Sequence, residues 1–382
     1  MDIFICKSIG KRAYEMSIFY NENEWRDSLD NFKERIDAIR YAETVSEKVS
    51  KAKELLSSTD FVMKYDALSI FDGMKLESED NYFKRFLEYR SEASIEYQYV
   101  DCDASLLCVT MYVLLSNMLK MENILPQYRS SVKYEIRKDG MRFKGDTLTS
   151  ALYPIKLYLG CLWEKVHENK RLQANEKYLE FYRLFNYVAK TGIPVAPEGE
   201  WIEYCLKHSD IIWNVMDEPL KQFLRSYMMF GNYMRIPGNS YLTGNKRWMS
   251  FNTARSNRGK WDTVDTLLIK IYAFYKWHDV TYLESIFTEQ HRAIAQETVY
   301  WLKEFKDWET FLEENCLYSF VNQDSLIPIC MKTGKAINDV SVEQYDAIPK
   351  DYQEFLVFFE QLAERIQARN ICLYKKIIQK NR

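Results

Sequence analysis

The sequence predicts a mainly α-helical protein, a globular assembly of many helices with one small β-hairpin or sheet. Glycine and proline are scarce, with 12 and 8 among 382 residues, whereas typical usage of roughly 7% and 5% would give about 27 and 19. Because these residues mark turns and strand ends, their scarcity favours long helices. Tyr, Phe and Trp make up 15% of the chain, more than a disordered protein carries, so we expect a packed core.

The N-terminal third shows helical spacing in three places. Apolar residues repeat every three or four positions from Trp25 to residue 56, which predicts one or two amphipathic helices. Residues 79–93 form the next predicted helix. The uncharged run 104–119 is shorter than the roughly 20 apolar residues that a membrane span needs. We therefore interpret that run as a buried helix.

The clearest β signal lies at residues 132–144. Residues 132–137 and 141–144 each alternate apolar and charged side chains, and Asp139-Gly140 lies between the two runs. Asp-Gly between alternating runs is a strong short-range signal for a β-hairpin. An isolated hairpin is only marginally stable, so we expect this one to pack against the helices.

Helical patterns dominate the chain after the hairpin. We interpret the hairpin as the boundary between an N-terminal helical region, residues 1–130, and a C-terminal helical region, residues 131–382. One continuous domain is the alternative. The predicted helices of the second region cover residues 150–168, 175–190, 200–213, 218–230, 281–305, 308–320 and 350–378, together with a helix that begins at Asp262.

Composition and missing motifs exclude several classes of protein. The formal charge of −3 favours no class of partner by itself. Eight cysteines lie singly without a C-x-x-C pair, so the sequence predicts free thiols in a reducing compartment and neither a zinc ribbon nor a redox motif. No signal peptide or membrane span is indicated, which predicts a cytoplasmic protein. Phosphate-binding glycine loops and hydrolase motifs are absent, and no metal site or cofactor is indicated.

One segment stands out chemically. Residues 219–261 contain no Asp or Glu, where the chain average would place about six. The segment has three Gly-Asn pairs, at residues 231–232, 238–239 and 244–245. Such turns can point several backbone N–H groups at one anion, an arrangement called a nest. Eight basic residues lie in the segment: Lys221, Arg225, Arg235, Lys246, Arg247, Arg255, Arg258 and Lys260.

The composition of residues 231–261, which we call the basic loop, predicts a binding site. Aromatic residues such as Trp248 and Trp261 are interspersed with the cations. Guanidinium groups bind phosphate oxygens and aromatic rings stack on bases, so we expect a phosphate-containing ligand, either nucleic acid or a nucleotide. The helix that follows favours an anion at its N-terminus, whereas the carboxylates of Asp262 and Asp265 oppose one. The predicted ligand-binding residues are Arg235, Asn239, Asn245, Lys246, Arg247, Asn252, Arg255 and Arg258.

The same segment resembles a family of bacterial proteins, a domain of unknown function. The similarity rests on residues 228–232, on the run Ile-Pro-Gly-Asn at residues 236–239, on Asn252-x-Ala254-Arg255 and on the Asp262/Asp265 pair, and it extends over residues 222–324. The chain departs from the family pattern at residues 253 and 256, where the family has glycine. The resemblance implies a bacterial protein, but the family brings no established activity. Its bacterial setting is the sole ground for the hypothesis of a defence or toxin-type effector, for example against phage. It points to Asn239, Asn252 and Arg255 as the first residues to test.

Three functional hypotheses follow. The first is a binding or effector protein that holds nucleic acid or a nucleotide in the basic loop. The second is an enzyme acting on nucleotides or RNA in the same pocket, with Asp262, Asp265 or His278 as acid, base or metal ligand. The third is a scaffold whose helical surfaces bind a protein partner or a second copy of the chain. In that case the basic loop is solvated or forms part of the protein interface.

Overall fold

The structure, a computed structural model, is mainly α-helical, as predicted. It describes residues 81–90, 126–130, 133–138, 141–191, 198–227, 229–237, 253–256, 259–277, 299–338 and 345–380, and the single positions 47, 50 and 51. The predicted helices at residues 25–56 and 104–119 lie outside these ranges, apart from those three positions. In the described part of the chain, no helix is long and apolar enough to cross a lipid bilayer.

Ten α-helices have both of their ends within the described residues. They are α1 (Tyr82–Arg90), α2 (Leu152–Glu168), α3 (Lys170–Gln173), α4 (Glu176–Thr191), α5 (Glu198–Lys207), α6 (Ser209–Val215), α7 (Glu218–Tyr227), α8 (Val264–Trp277), α9 (Trp308–Glu314) and α10 (Tyr352–Lys380). Two short 3₁₀ turns cover Phe230–Asn232 and Tyr318–Phe320.

The strands form a four-stranded sheet and a separate hairpin. The sheet has the order β1-β2-β3-β4, and all neighbouring strands are antiparallel. The predicted hairpin is present as the β2–β3 pair. The strands are β1 (Pro126–Ser130), β2 (Lys133–Lys138), β3 (Met141–Thr147) and β4 (Tyr233–Pro237), with β5 (Thr253–Ser256) and β6 (Gly259–Asp262) in the hairpin.

Helix α10 forms the centre of the core. Its N-terminus is capped by Asp351, whose Oδ1 accepts hydrogen bonds from the N–H groups of Gln353 and Glu354, both at 2.9 Å. Glu354 Oε2 in turn accepts the N–H of Lys350 at 2.8 Å, so the first turn is satisfied in the manner of a capping box. The buried face repeats every three or four residues and packs on α2 and α7. It carries Phe355, Phe358, Phe359, Leu362, Ala363, Ile366 and Leu373.

Three predicted helix boundaries were wrong. The predicted helix 200–213 is two helices that meet at His208. The predicted helix 308–320 ends at Glu314 because Cys316 adopts a left-handed backbone with φ of 55°. Asp262 does not cap α8, since it is the last residue of β6, and the helix begins at Val264.

One hydrophobic core joins described residues from both predicted regions. Helix α1, from the N-terminal region, contributes Phe83 and Phe86 to the same buried cluster as α2, α7 and α10. Strand β1 ends at Ser130 and pairs with β2 across the predicted boundary. Both observations favour a continuous domain. The division at residues 130 and 131 stays a prediction, because most of residues 1–130 lie outside the described ranges.

Candidate functional site

The two ends of the basic loop are fastened to the same short segment, residues 148–150. At the first end, Leu148 N donates to Asn232 O at 2.6 Å. At the second end, Ser150 N donates to Asp262 O at 3.1 Å, and Asp262 N donates to Ser150 Oγ at 3.3 Å. The chain therefore leaves and returns at adjacent positions, so the basic loop is an excursion closed at its base.

Asn232 organises the first end with its side-chain amide. Its Nδ2 donates to Thr149 O at 3.2 Å and to Tyr227 O at 2.9 Å, while its Oδ1 accepts Thr149 N at 3.2 Å. The side chain is fully buried. Because a buried amide needs partners for both its donors and its acceptor, this position fixes the end of α7 relative to the segment that precedes α2.

Gly231 is the point of closest approach between the basic loop and α10. Its N–H donates to Asn370 Oδ1 at 2.9 Å. A Cβ atom at this position would lie 2.2 Å from Ile366 O, so glycine is needed here for space. Arg369, which is fully buried, completes the contact. Its Nη1 donates to Gly231 O at 2.7 Å and to Tyr233 O at 2.8 Å, and its Nε donates to Asn315 O at 3.1 Å.

The first Gly-Asn pair is therefore structural and does not form a nest. The N–H of Gly231 is donated to Asn370, and the N–H of Asn232 is donated to Met229 O at 2.9 Å. Sequence reasoning missed Arg369 and Asn370, because nothing near them in the sequence indicates a contact more than a hundred residues away. The other two Gly-Asn pairs lie outside the described residues.

The structure gives backbone positions for two of the eight predicted ligand-binding residues. Arg235 lies in β4, opposite Gly145 of β3. Arg255 lies in β5, directly opposite Lys260 of β6. The remaining six, Asn239, Asn245, Lys246, Arg247, Asn252 and Arg258, lie outside the described residues.

Two other cations of the acid-free segment belong to α7 and already contact the protein. Arg225 Nη1 lies 2.7 Å from Glu218 Oε1. Lys221 Nζ lies 4.8 Å from the centre of the Trp213 ring, and burial lowers the pKa of Lys221. These two contacts agree with the solvated-loop interpretation, in which the cations of the segment interact with residues elsewhere in the chain and not with a ligand. They leave the cations of residues 231–261 as the candidate site.

Asp265, a candidate catalytic acid of the enzyme hypothesis, has a structural environment. Its carboxylate is completely buried and accepts Thr266 N at 3.0 Å, Met331 N at 3.0 Å and Tyr345 Oη at 2.5 Å. Burial raises the pKa of Asp265, while these hydrogen bonds act in the opposite direction. The group joins α8 to Met331 and Tyr345. His278, also named in that hypothesis, lies outside the described residues.

A second polar cluster lies beside a surface groove at the start of α10. The hydroxyl groups of Tyr158 and Tyr352 both donate to Asp217 Oδ2, the first at 2.6 Å, and Lys165 Nζ lies 3.7 Å from the centre of the Tyr352 ring. The groove, of about 860 Å³, mixes both signs of charge, so it favours no purely anionic ligand. Its lining includes Glu164, Lys165, Glu168, Lys170, Arg171, Lys350, Asp351 and Tyr352.

Among the described residues, no three His, Cys, Asp or Glu side chains lie close enough together to hold a metal ion. No protein-family model, curated protein or solved structure matches the chain.

Proposed function

We propose that the protein binds a phosphate-containing ligand, nucleic acid or a nucleotide, through the basic loop. The observation that carries the proposal is the register of the β5–β6 hairpin, which puts Arg255 directly opposite Lys260. Like charges at directly opposed positions of an antiparallel pair destabilise it. A bound phosphate placed at this pair would offset that repulsion, so the arrangement is favourable in the complex and unfavourable without it.

The closure of the basic loop at residues 148–150 also supports the proposal, because it keeps the positive charges of the loop close together. Residues 233–261 include six cations and no carboxylate, and both ends of this stretch meet at residues 148–150. A chain that leaves and returns at one place keeps its cations within a limited volume, so their fields add. Guanidinium groups of the loop would hold phosphate oxygens in a forked geometry, and rings such as Trp248 and Trp261 would stack on bases.

The biological setting is a further proposal. A defence or toxin-type effector is proposed from the bacterial setting of the family that residues 222–324 resemble, a family with no established activity. The enzyme alternative is weakened because Asp265 is buried and hydrogen-bonded within the scaffold. The scaffold alternative makes the opposite prediction for ligand binding, so one experiment separates it from the proposal.

The test measures the salt dependence of ligand binding. Fluorescence anisotropy with labelled single-stranded RNA and DNA, and competition by ATP, should be recorded between 50 and 200 mM salt. Each phosphate contact contributes about −0.7 to the slope of log affinity against log salt for single strands. The double variant Arg255→Ala plus Arg258→Ala should therefore bind at least about tenfold more weakly, with a slope smaller by about 1.4.

A matched control removes the same charge elsewhere. Lys303 and Lys335 are both exposed outside the basic loop, so Lys303→Ala plus Lys335→Ala should leave the affinity and the slope close to those of the wild type. The proposal fails if the loop variant and the control variant bind equally well. It also fails if the wild type binds none of these ligands at 50 mM salt while it remains folded by circular dichroism.

A further inference from the structure

Cys316 occupies a backbone position that normally favours glycine. It follows α9 with a left-handed φ of 55°, its N–H donates to Glu313 O at 3.2 Å, and Leu317 N donates to Leu312 O at 2.9 Å. This pair of hydrogen bonds defines a Schellman motif, in which the left-handed residue is usually glycine because a Cβ is disfavoured there. The chain keeps a side chain at this position in spite of that cost.

Cys372 of α10 lies against this turn. Two residues of α10, one on each side of Cys372, donate hydrogen bonds to backbone carbonyl groups near the end of α9. Arg369 Nε donates to Asn315 O at 3.1 Å, and Lys376 Nζ donates to Glu313 O. Cys372 lies between these two contacts on α10, so its thiol is placed beside Cys316, and the two thiol groups interact electrostatically. We call these two residues the thiol pair.

The two thiols differ in accessibility and in acidity. Cys316 is 2% exposed, whereas Cys372 is only partly buried. Interaction with the Cys316 thiol, together with the charges of Lys376 and Arg369, lowers the pKa of Cys372 to about 7. The same interaction and burial raise the pKa of Cys316. Cys372 is both the more exposed and the more acidic thiol, so it has the properties of the residue that attacks a peroxide, and the buried Cys316 has those of the resolving residue.

We propose that the thiol pair is a modification site that hydroperoxides convert reversibly to a disulfide. The Cys372 thiolate attacks the terminal oxygen of a hydroperoxide, breaking the O–O bond and leaving a sulfenic acid on Cys372 and an alkoxide or hydroxide that takes up a proton. The Cys316 sulfur then attacks the Cys372 sulfur, forming the S–S bond and releasing water as the Cys316 proton passes to the departing hydroxyl. Two electrons pass from the thiols to the peroxide, and an external dithiol returns them.

This disulfide would form next to the Arg369 contacts that hold the first end of the basic loop against α10. Arg369, one turn before Cys372, holds Asn315 O on one side and the carbonyls of Gly231 and Tyr233 on the other. A covalent bond between α10 and residue 316 would fix the helix against this turn. The modification does not depend on whether the loop binds a ligand, and it can be tested without one.

The experiment is peptide mapping by mass spectrometry after treatment of the folded protein with hydrogen peroxide. We expect a cross-linked peptide that joins Cys316 to Cys372, a loss of two hydrogen atoms from the chain, and recovery of both thiols with dithiothreitol. Cys372→Ser should abolish the cross-link. In Cys316→Ser, dimedone should label Cys372, because the sulfenic acid has no partner there.

Cys161 supplies the matched control, because it is also partly buried and lies on a different helix. Cys161→Ser should form the Cys316–Cys372 cross-link at the wild-type rate. The proposal is overturned if peroxide leaves both thiols alkylatable in the folded wild type. It is also overturned if the cross-links that form involve other cysteines, or if Cys372 in Cys316→Ser reacts with dimedone no faster than Cys161.

Discussion

Replacing Gly231 by alanine tests whether the base of the basic loop is as tightly packed as the structure indicates. The added Cβ would lie 2.2 Å from Ile366 O and 2.9 Å from Asn370 N. Both are backbone atoms of α10, so no change of side-chain rotamer relieves the contact. The 3₁₀ turn and the helix would have to separate by roughly 1 Å to reach ordinary van der Waals distance.

The cost of Gly231→Ala has two parts. Overpacking of a tightly packed site costs about 1–3 kcal/mol. Separation also weakens the 2.7 Å hydrogen bond from Arg369 Nη1 to Gly231 O, and hydrogen bonds to charged groups contribute about 1.5–3 kcal/mol. We therefore expect the free energy of unfolding to fall by about 2.5–6 kcal/mol, a large part of the roughly 5–15 kcal/mol typical of a domain.

Urea denaturation followed by circular dichroism measures this loss, and Gly160→Ala provides the control. Gly160 lies in α2, it is exposed, and a Cβ there would meet nothing within 4 Å. Alanine in a helix interior stabilises by about 0.5–1 kcal/mol relative to glycine, so the same chemical change should have opposite signs at the two sites. If Gly231→Ala unfolds within 0.5 kcal/mol of the wild type, the reasoning is refuted.

Two further predictions concern buried polar groups. In Asp265→Asn the new amide NH₂ must face one of the two backbone N–H groups that the carboxylate oxygens accept, so thermal unfolding should show a loss of about 1–3 kcal/mol; the exposed control Asp324→Asn should change little, and equal effects would contradict the prediction. Burial and the hydrogen bond to Asp217 raise the pKa of Tyr352 above its ordinary value. Its stabilising contribution is therefore complete below about pH 10 and is lost as the pH rises further. Between pH 10 and 12 the denaturation midpoint of Tyr352→Phe should fall less steeply than that of the wild type, and parallel curves would rule this out.

Local sequence patterns correctly predicted the helices and the hairpin whose signals lie within the element itself. The helices expected at residues 150–168 and 350–378 are found at Leu152–Glu168 and Tyr352–Lys380, because apolar residues spaced for one buried face report directly on helix packing. The β2–β3 hairpin was predicted for the same reason, since alternation and an Asp-Gly turn both lie within the hairpin itself.

Elements that depend on distant partners were missed. Strand β4 pairs with β3, from which it is separated by about ninety residues, and the β5–β6 hairpin has no run of alternating apolar residues. The thiol pair likewise joins two cysteines that lie singly in the sequence, each without a C-x-x-C partner. Only the packing of α10 against the end of α9 brings them together, and no spacing rule reports such packing.

The polar groups at the base of the basic loop are already used for folding, and this limits where a ligand can bind. The N–H of Gly231, the amide of Asn232, the N–H of Asp262 and the guanidinium of Arg369 all donate to protein acceptors. A ligand that reached the base would have to break these bonds, and each buried donor left unsatisfied costs about 1–3 kcal/mol. On the proposed function, binding energy must therefore come from the outer part of the loop, where Arg255 opposes Lys260. Substitutions at the base should then lower stability without changing the salt slope of binding, whereas substitutions in the hairpin should change the slope and leave stability equal or slightly higher.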